Sequence, residues 1–187
     1  DGTRPYQQVP FQFSVHVINA PGEDPKHFEF LHLGKGDPRP ELIPRLLEAC
    51  GETGSIVSYF AKFESEVIRD LAECYPEHAD ELQALRERMV DPLDVIRESV
   101  YDPKFKGRFS LKYVAPALLG EQYSYSGMEV ADGTAAQRAF DSVYSGKVTG
   151  GEVERVRENM LAYCKLDTLA MMELVKWLEH HGGNSNG

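Results

Sequence analysis

Two carboxylates occupy positions where the sequence pattern calls for an apolar side chain. Toward the C-terminal end, Val153, Val156, Met160, Tyr163, Met171, Leu174 and Leu178 recur at spacings of three and four, the stripe a helix turns toward a core. The member this spacing requires between Tyr163 and Met171 is Asp167. A carboxylate on a buried stripe is costly unless it is hydrogen-bonded, paired with a cation or bound to a metal. Glu64 repeats the anomaly, as the first-turn member of a stripe read through Val67, Leu71 and Cys74, while Glu66 and Asp70 fall on the polar side. Two inward acids from distant parts of a chain can converge, and convergent carboxylates are what a hard divalent cation such as Mg²⁺ takes as ligands. Tyr163 lies one turn before Asp167 on the same face, so its hydroxyl can approach whatever Asp167 holds. Bland alternatives stand beside this chemistry. Glu64 in a first turn is favoured by the helix macrodipole by about 0.3–1 kcal/mol, and Asp167 can form a buried pair with an arginine.

The elements that must position these residues are legible in outline. Phe11, Phe13, Val15 and Val17 alternate with Gln12, Ser14 and His16, the period-two pattern of a strand. A Pro-Gly-Glu-Asp-Pro turn then leads to a second extended run, Phe28–Leu33, and the two are expected to pair antiparallel. Pro38–Ala49 reads as a helix stopped by Gly51, Ser55–Tyr59 as a short buried strand, and Lys62–Tyr75 as a second helix. Helical patterns continue over Ala79–Met89 and Leu93–Val100 before the Asp102-Pro103 and Gly107 breakers. Ser110 is a candidate cap for a helix reaching Leu119, Thr134 and Gln137 have capping-box spacing, and the last helix spans roughly Glu152–Glu179. Residues 1–181 are read as one domain and 182–187 as a flexible tail.

Composition narrows the class. At 187 residues and 42% hydrophobic content, one sizeable core suffices. A net charge of −10 argues against blanket phosphate neutralisation as a binding mode, yet a carboxylate site loaded with a divalent cation reverses the local field. No run of about 18 apolar residues and no signal-like start is present, so a cytoplasmic protein without membrane partners is expected. Cys50, Cys74 and Cys164 are widely spaced, suggesting neither a disulfide framework nor a zinc site. The six histidines show no ligand spacing.

Tyr163-Cys-Lys-Leu-Asp167-Thr168 resembles the Tyr-x-x-x-Asp motif of the DEDDy 3′-to-5′ exonucleases, and Val57–Glu64 resembles the motif in which an acid follows a strand and an aromatic at a helix start. The wider chain is similar to a bacterial family of unknown function related to those enzymes, through Pro5–Gln12, Phe109–Lys112 and Tyr163–Thr168. The resemblance implies an α/β, RNase H-like mixed sheet flanked by helices. It implies a two-metal site for Mg²⁺ or Mn²⁺ with Glu64 and Asp167 as ligands and Tyr163 positioning the attacking water. Its substrate would be a DNA or RNA end, with Lys112 on a phosphate.

Three departures follow from the same comparison. No early Asp-x-Glu on a strand exists here, so the first strand and half the ligands are expected to be missing, the domain N-terminally truncated within a longer chain, and this piece inactive. Glu64 stands where the exonuclease pattern has Asp, and Phe60 where it usually has Asn. Lys112 has the alternative of a solvated side chain behind a Ser110 cap, and Arg4 and Tyr6 are candidates to lie beside a nucleic-acid end. Other readings are a nuclease fold used only for binding nucleic acid or a partner domain, and a small α/β enzyme acting on nucleotides.

Overall fold

The alternating run at the start folds as read. In the computed structural model, which describes residues 8–182, β1 (Gln12–Val17) pairs antiparallel with β2 (Lys26–Leu31), Phe13 opposite Phe30 and His16 opposite His27. The pleat sends Phe13 and Phe30 to one side, where they stack at 5.8 Å over Leu42 and Ile43 of α1 (Arg39–Cys50). The same core takes Ile68 and Leu71 of α2 (Lys62–Cys74) and Leu82 and Leu85 of α3 (Ala79–Glu87). The stripe of α2 therefore runs Glu64, Ile68, Leu71, Tyr75. It does not run through Val67 and Cys74 as expected, and Cys74 is exposed. Val67 and Ile68 are both apolar, so the period alone left the phase open by one residue.

Between α1 and α2 the chain makes β3 (Ile56–Val57), which is shorter than the expected strand and pairs parallel with β4 (Met89–Val90). That second strand replaces the last turn expected of the Ala79–Met89 helix. After α4 (Leu93–Ser99) come α5 (Leu111–Leu119), α6 (Gly133–Tyr144) and α7 (Gly151–Gly182). Helix α7 continues beyond Glu179 to Gly182, the last described residue, and the rest of the expected tail, residues 183–187, lies outside the described residues. Ser110 sits at the N-cap of α5 with extended backbone but makes no side-chain cap bond. Helix α6 is capped by Asp132, whose carboxylate accepts from Ala135 N at 2.8 Å, in place of the Thr134 expected.

Helix α7 ties the layers together. Leu174 and Ala170 join Ile96, Phe105 and Val114 in one core, and Met160 joins Leu31, Val130 and Ala136 in another. Gln12 donates to the Met160 carbonyl at 2.8 Å, fixing α7 against β1. The described residues thus form a mixed α/β protein, mostly helical, with two small two-stranded sheets. No helix among them is long and apolar enough to cross a membrane.

Candidate active site

Four side chains singled out in the sequence line one cleft of about 530 Å³: Glu64 from the first turn of α2, Lys112 from the first turn of α5, and Tyr163 and Asp167 from successive turns of α7. Ser58, Tyr59, Phe60, Arg97 and Phe109 complete much of its wall. Arg4 and Tyr6 lie outside the described residues. A smaller cleft between the hairpin and α1, lined by Phe13, Phe28 and Arg45, contains none of these groups.

Asp167 is satisfied within the protein. The hydroxyl of Tyr125, a residue only 6% exposed in the loop before α6, donates to Asp167 Oδ1, and the Tyr163 hydroxyl acts on the same carboxyl from one helical turn away. The rings of Tyr125 and Tyr163 meet edge to face at 6.0 Å. Burial raises the pKa of Asp167 above the ordinary carboxylate range, against the pull of the two hydroxyls and of Lys112. Burial also pushes both tyrosine hydroxyls up, with the Asp167 charge adding to it, so they remain donors. Among the described residues no arginine pairs with Asp167, the compensation that the bland reading allowed.

Glu64 is exposed as a residue, but its carboxyl is set far enough into the cleft that burial raises its pKa. The nearby Ser58 hydroxyl opposes that rise, while the charges of Asp91 and Asp167 add to it. Glu64 therefore senses the charge of Asp167 across the cleft. Lys112 Nζ stands 3.5 Å from Asp132 at the entrance to α6 and keeps a partly exposed side chain. Oxygen donors of this kind suit Mg²⁺ or Mn²⁺, but they supply only part of a ligand set. No group of three His, Cys, Asp or Glu side chains among the described residues is arranged to hold a metal ion.

Asp91 positions the lip of the cleft. Its carboxylate accepts from Leu93 N at 2.9 Å, across Pro92 at the start of α4. It also accepts from Phe60 N at 3.1 Å and Ala61 N at 2.9 Å, capping α2 from 30 residues away where Ala61 has no side chain to do so. Phe60 is held there at φ +64°. Tyr59 fastens the same loop on its other side, donating from its hydroxyl to the Phe109 carbonyl at 2.5 Å. Sequence reasoning missed Tyr125 and the reach of Asp91 to α2. Both are contacts across the fold, with no periodicity to announce them.

Fold and cleft together define a mostly helical α/β protein with two opposed acids, two tyrosines and a lysine on one concave surface. Residues 1–110, more than half of the 187, match the family described as Domain of unknown function (DUF2779), and the chain belongs to that family. The matched region contains Glu64 and Asp91 and ends before Lys112, Tyr125, Tyr163 and Asp167. No curated protein and no solved structure matches the chain.

Proposed function

We propose that this chain is the greater part of a metal-dependent 3′-to-5′ exonuclease domain of RNase H-like α/β architecture, acting on phosphodiester bonds at a DNA or RNA end. The observation that carries the reading is the meeting of Glu64, Lys112, Tyr163 and Asp167 in one cleft from three separate helices. Glu64 and Asp167 are the residues that would hold Mg²⁺ or Mn²⁺, with further ligands, an Asp-x-Glu pair on a strand, supplied from outside the described residues. The bound ions would supply an activated water and offset charge on the departing oxygen. Tyr163, a hydroxyl donor at neutral pH, would orient that water, and Lys112 would neutralise a phosphate oxygen as a point charge.

A second reading, a nuclease-like fold that binds nucleic acid or a partner domain without cutting, is favoured by one observation. The Tyr125 hydroxyl already compensates Asp167, so the carboxyl has a partner in its half-buried position without a metal. An assay on the protein in its full natural length, using 5′-labelled single-stranded DNA and RNA with Mn²⁺, separates the two. Stepwise shortening that disappears in Glu64→Gln and Asp167→Asn supports the exonuclease. Retention of the labelled strands without shortening supports the binding module, and neither cutting nor retention overturns both.

A further inference from the structure

Phe60 combines two features that folding does not explain. Its backbone sits at φ +64°, a conformation that costs a residue with a Cβ and suits glycine or asparagine, yet the residue is 53% exposed and recovers little by burial. The position is actively maintained, because Asp91 accepts from the amides of both Phe60 and Ala61. The ring borders the cleft that holds Glu64 and Asp167. An outlier so fixed at the edge of a cleft points to a ligand contact.

The rest of the wall indicates what the ligand is. Arg97 lines the cleft half-exposed, with Asp94 only at the outer limit of ion-pair range, 3.9 Å, and Lys112 stands on another side. Cations around an open aromatic face are the elements that bind single-stranded nucleic acid, phosphate on the cations and base on the ring. Resting on the nucleic-acid reading of the cleft given above, we propose that Phe60 is the platform on which the terminal base of a single strand stacks. Stacking on a ring is tolerant of base identity, so Phe60 contributes affinity and placement of the end, and not sequence preference.

The test uses 5′-fluorescein oligothymidylate and oligouridylate, followed by anisotropy in Ca²⁺, with thermal unfolding of each variant alongside. Phe60→Asn relieves the backbone and is expected to raise Tm by about 2–4 °C. It is also expected to weaken oligonucleotide binding by about 5- to 150-fold. Phe60→Trp should restore binding, and Phe28→Ala, which removes a comparably exposed ring outside the cleft, should leave it unchanged. A difference between the two oligomers identifies DNA or RNA as the strand held. Unchanged binding by a folded Phe60→Asn overturns the platform, and if Lys112→Ala still weakens binding, the nucleic-acid reading of the cleft survives that failure. If the unaltered protein binds neither oligomer, the reading of the cleft has itself failed and the platform with it.

Discussion

Replacing Tyr125 with phenylalanine removes one hydroxyl and leaves the ring in its edge-to-face contact with Tyr163 at 6.0 Å. Tyr125 is only 6% exposed, so Asp167 Oδ1 loses a donor that is packed against it and held in place. A hydrogen bond to a charged group is worth about 1.5–3 kcal/mol. For a chain of this size each kcal/mol moves Tm by about 2–4 °C, so Tyr125→Phe should melt about 3–12 °C lower. The sharper assay is a double-mutant cycle with Asp167→Ala, read by urea unfolding at pH 8. If the hydroxyl stabilises by way of Asp167, it contributes nothing once that carboxylate is gone, and the two changes should couple by at least about 1 kcal/mol. Additivity within about 0.5 kcal/mol would refute the reasoning, leaving Tyr125 as a packing residue and Asp167 without its principal compensation.

Three further outcomes are expected. Asp91→Ala strips an acceptor from the amides of Phe60, Ala61 and Leu93 and should cost about 1–4 kcal/mol; amide exchange at Phe60 and Ala61 should quicken well before global unfolding, and unchanged protection there would count against the clamp. His16, hydrogen-bonded to Thr168 at 2.8 Å and stacked on His27, is depressed to about 4 by burial, then by the charges of His27 and Lys165. The native state therefore resists a proton that the unfolded chain accepts near 6.5. Its contribution is fully present above about pH 6.5 and drains as pH falls toward 4, by on the order of 1–2 kcal/mol after discounting for partial exposure, and His16→Gln should flatten that slope in urea titrations between pH 7.5 and 4.5. Asp37→Ala strands Arg39, whose side chain is 6% exposed and which donates to Asp37 Oδ2 at 2.7 Å, and should cost about 3 kcal/mol by chemical unfolding, against less than about 1 kcal/mol for Glu41→Ala in the exposed pair with Arg45.

What could be read from the sequence was what repeats. The hairpin followed from alternation in residues 11–17, and α7 from an apolar stripe long enough to make Asp167 conspicuous. Glu64 falls on the stripe in either phase, since it lies three residues before Val67 and four before Ile68. Strand β4 was hidden because two residues have no period, and Met89 and Val90 extend a helical pattern as well as they fill a strand. Tyr125 sits between short turns, 42 residues from the carboxylate it serves, and only the packing of its loop against α7 creates that pair. The clamp by Asp91 was half visible, since its place before Pro92 explains the bond to Leu93 but contains no hint of α2.

The claim on which the account turns is that Glu64 and Asp167 together hold a divalent cation. A calorimetric Mn²⁺ titration of the protein in its full natural length, alongside Asp167→Ala and Glu64→Gln, tests it most directly. Saturable uptake by the unaltered protein that is abolished by Asp167→Ala and weakened by Glu64→Gln is the predicted result. Uptake that persists undiminished in Asp167→Ala, or no uptake by the unaltered protein at millimolar Mn²⁺, would contradict it.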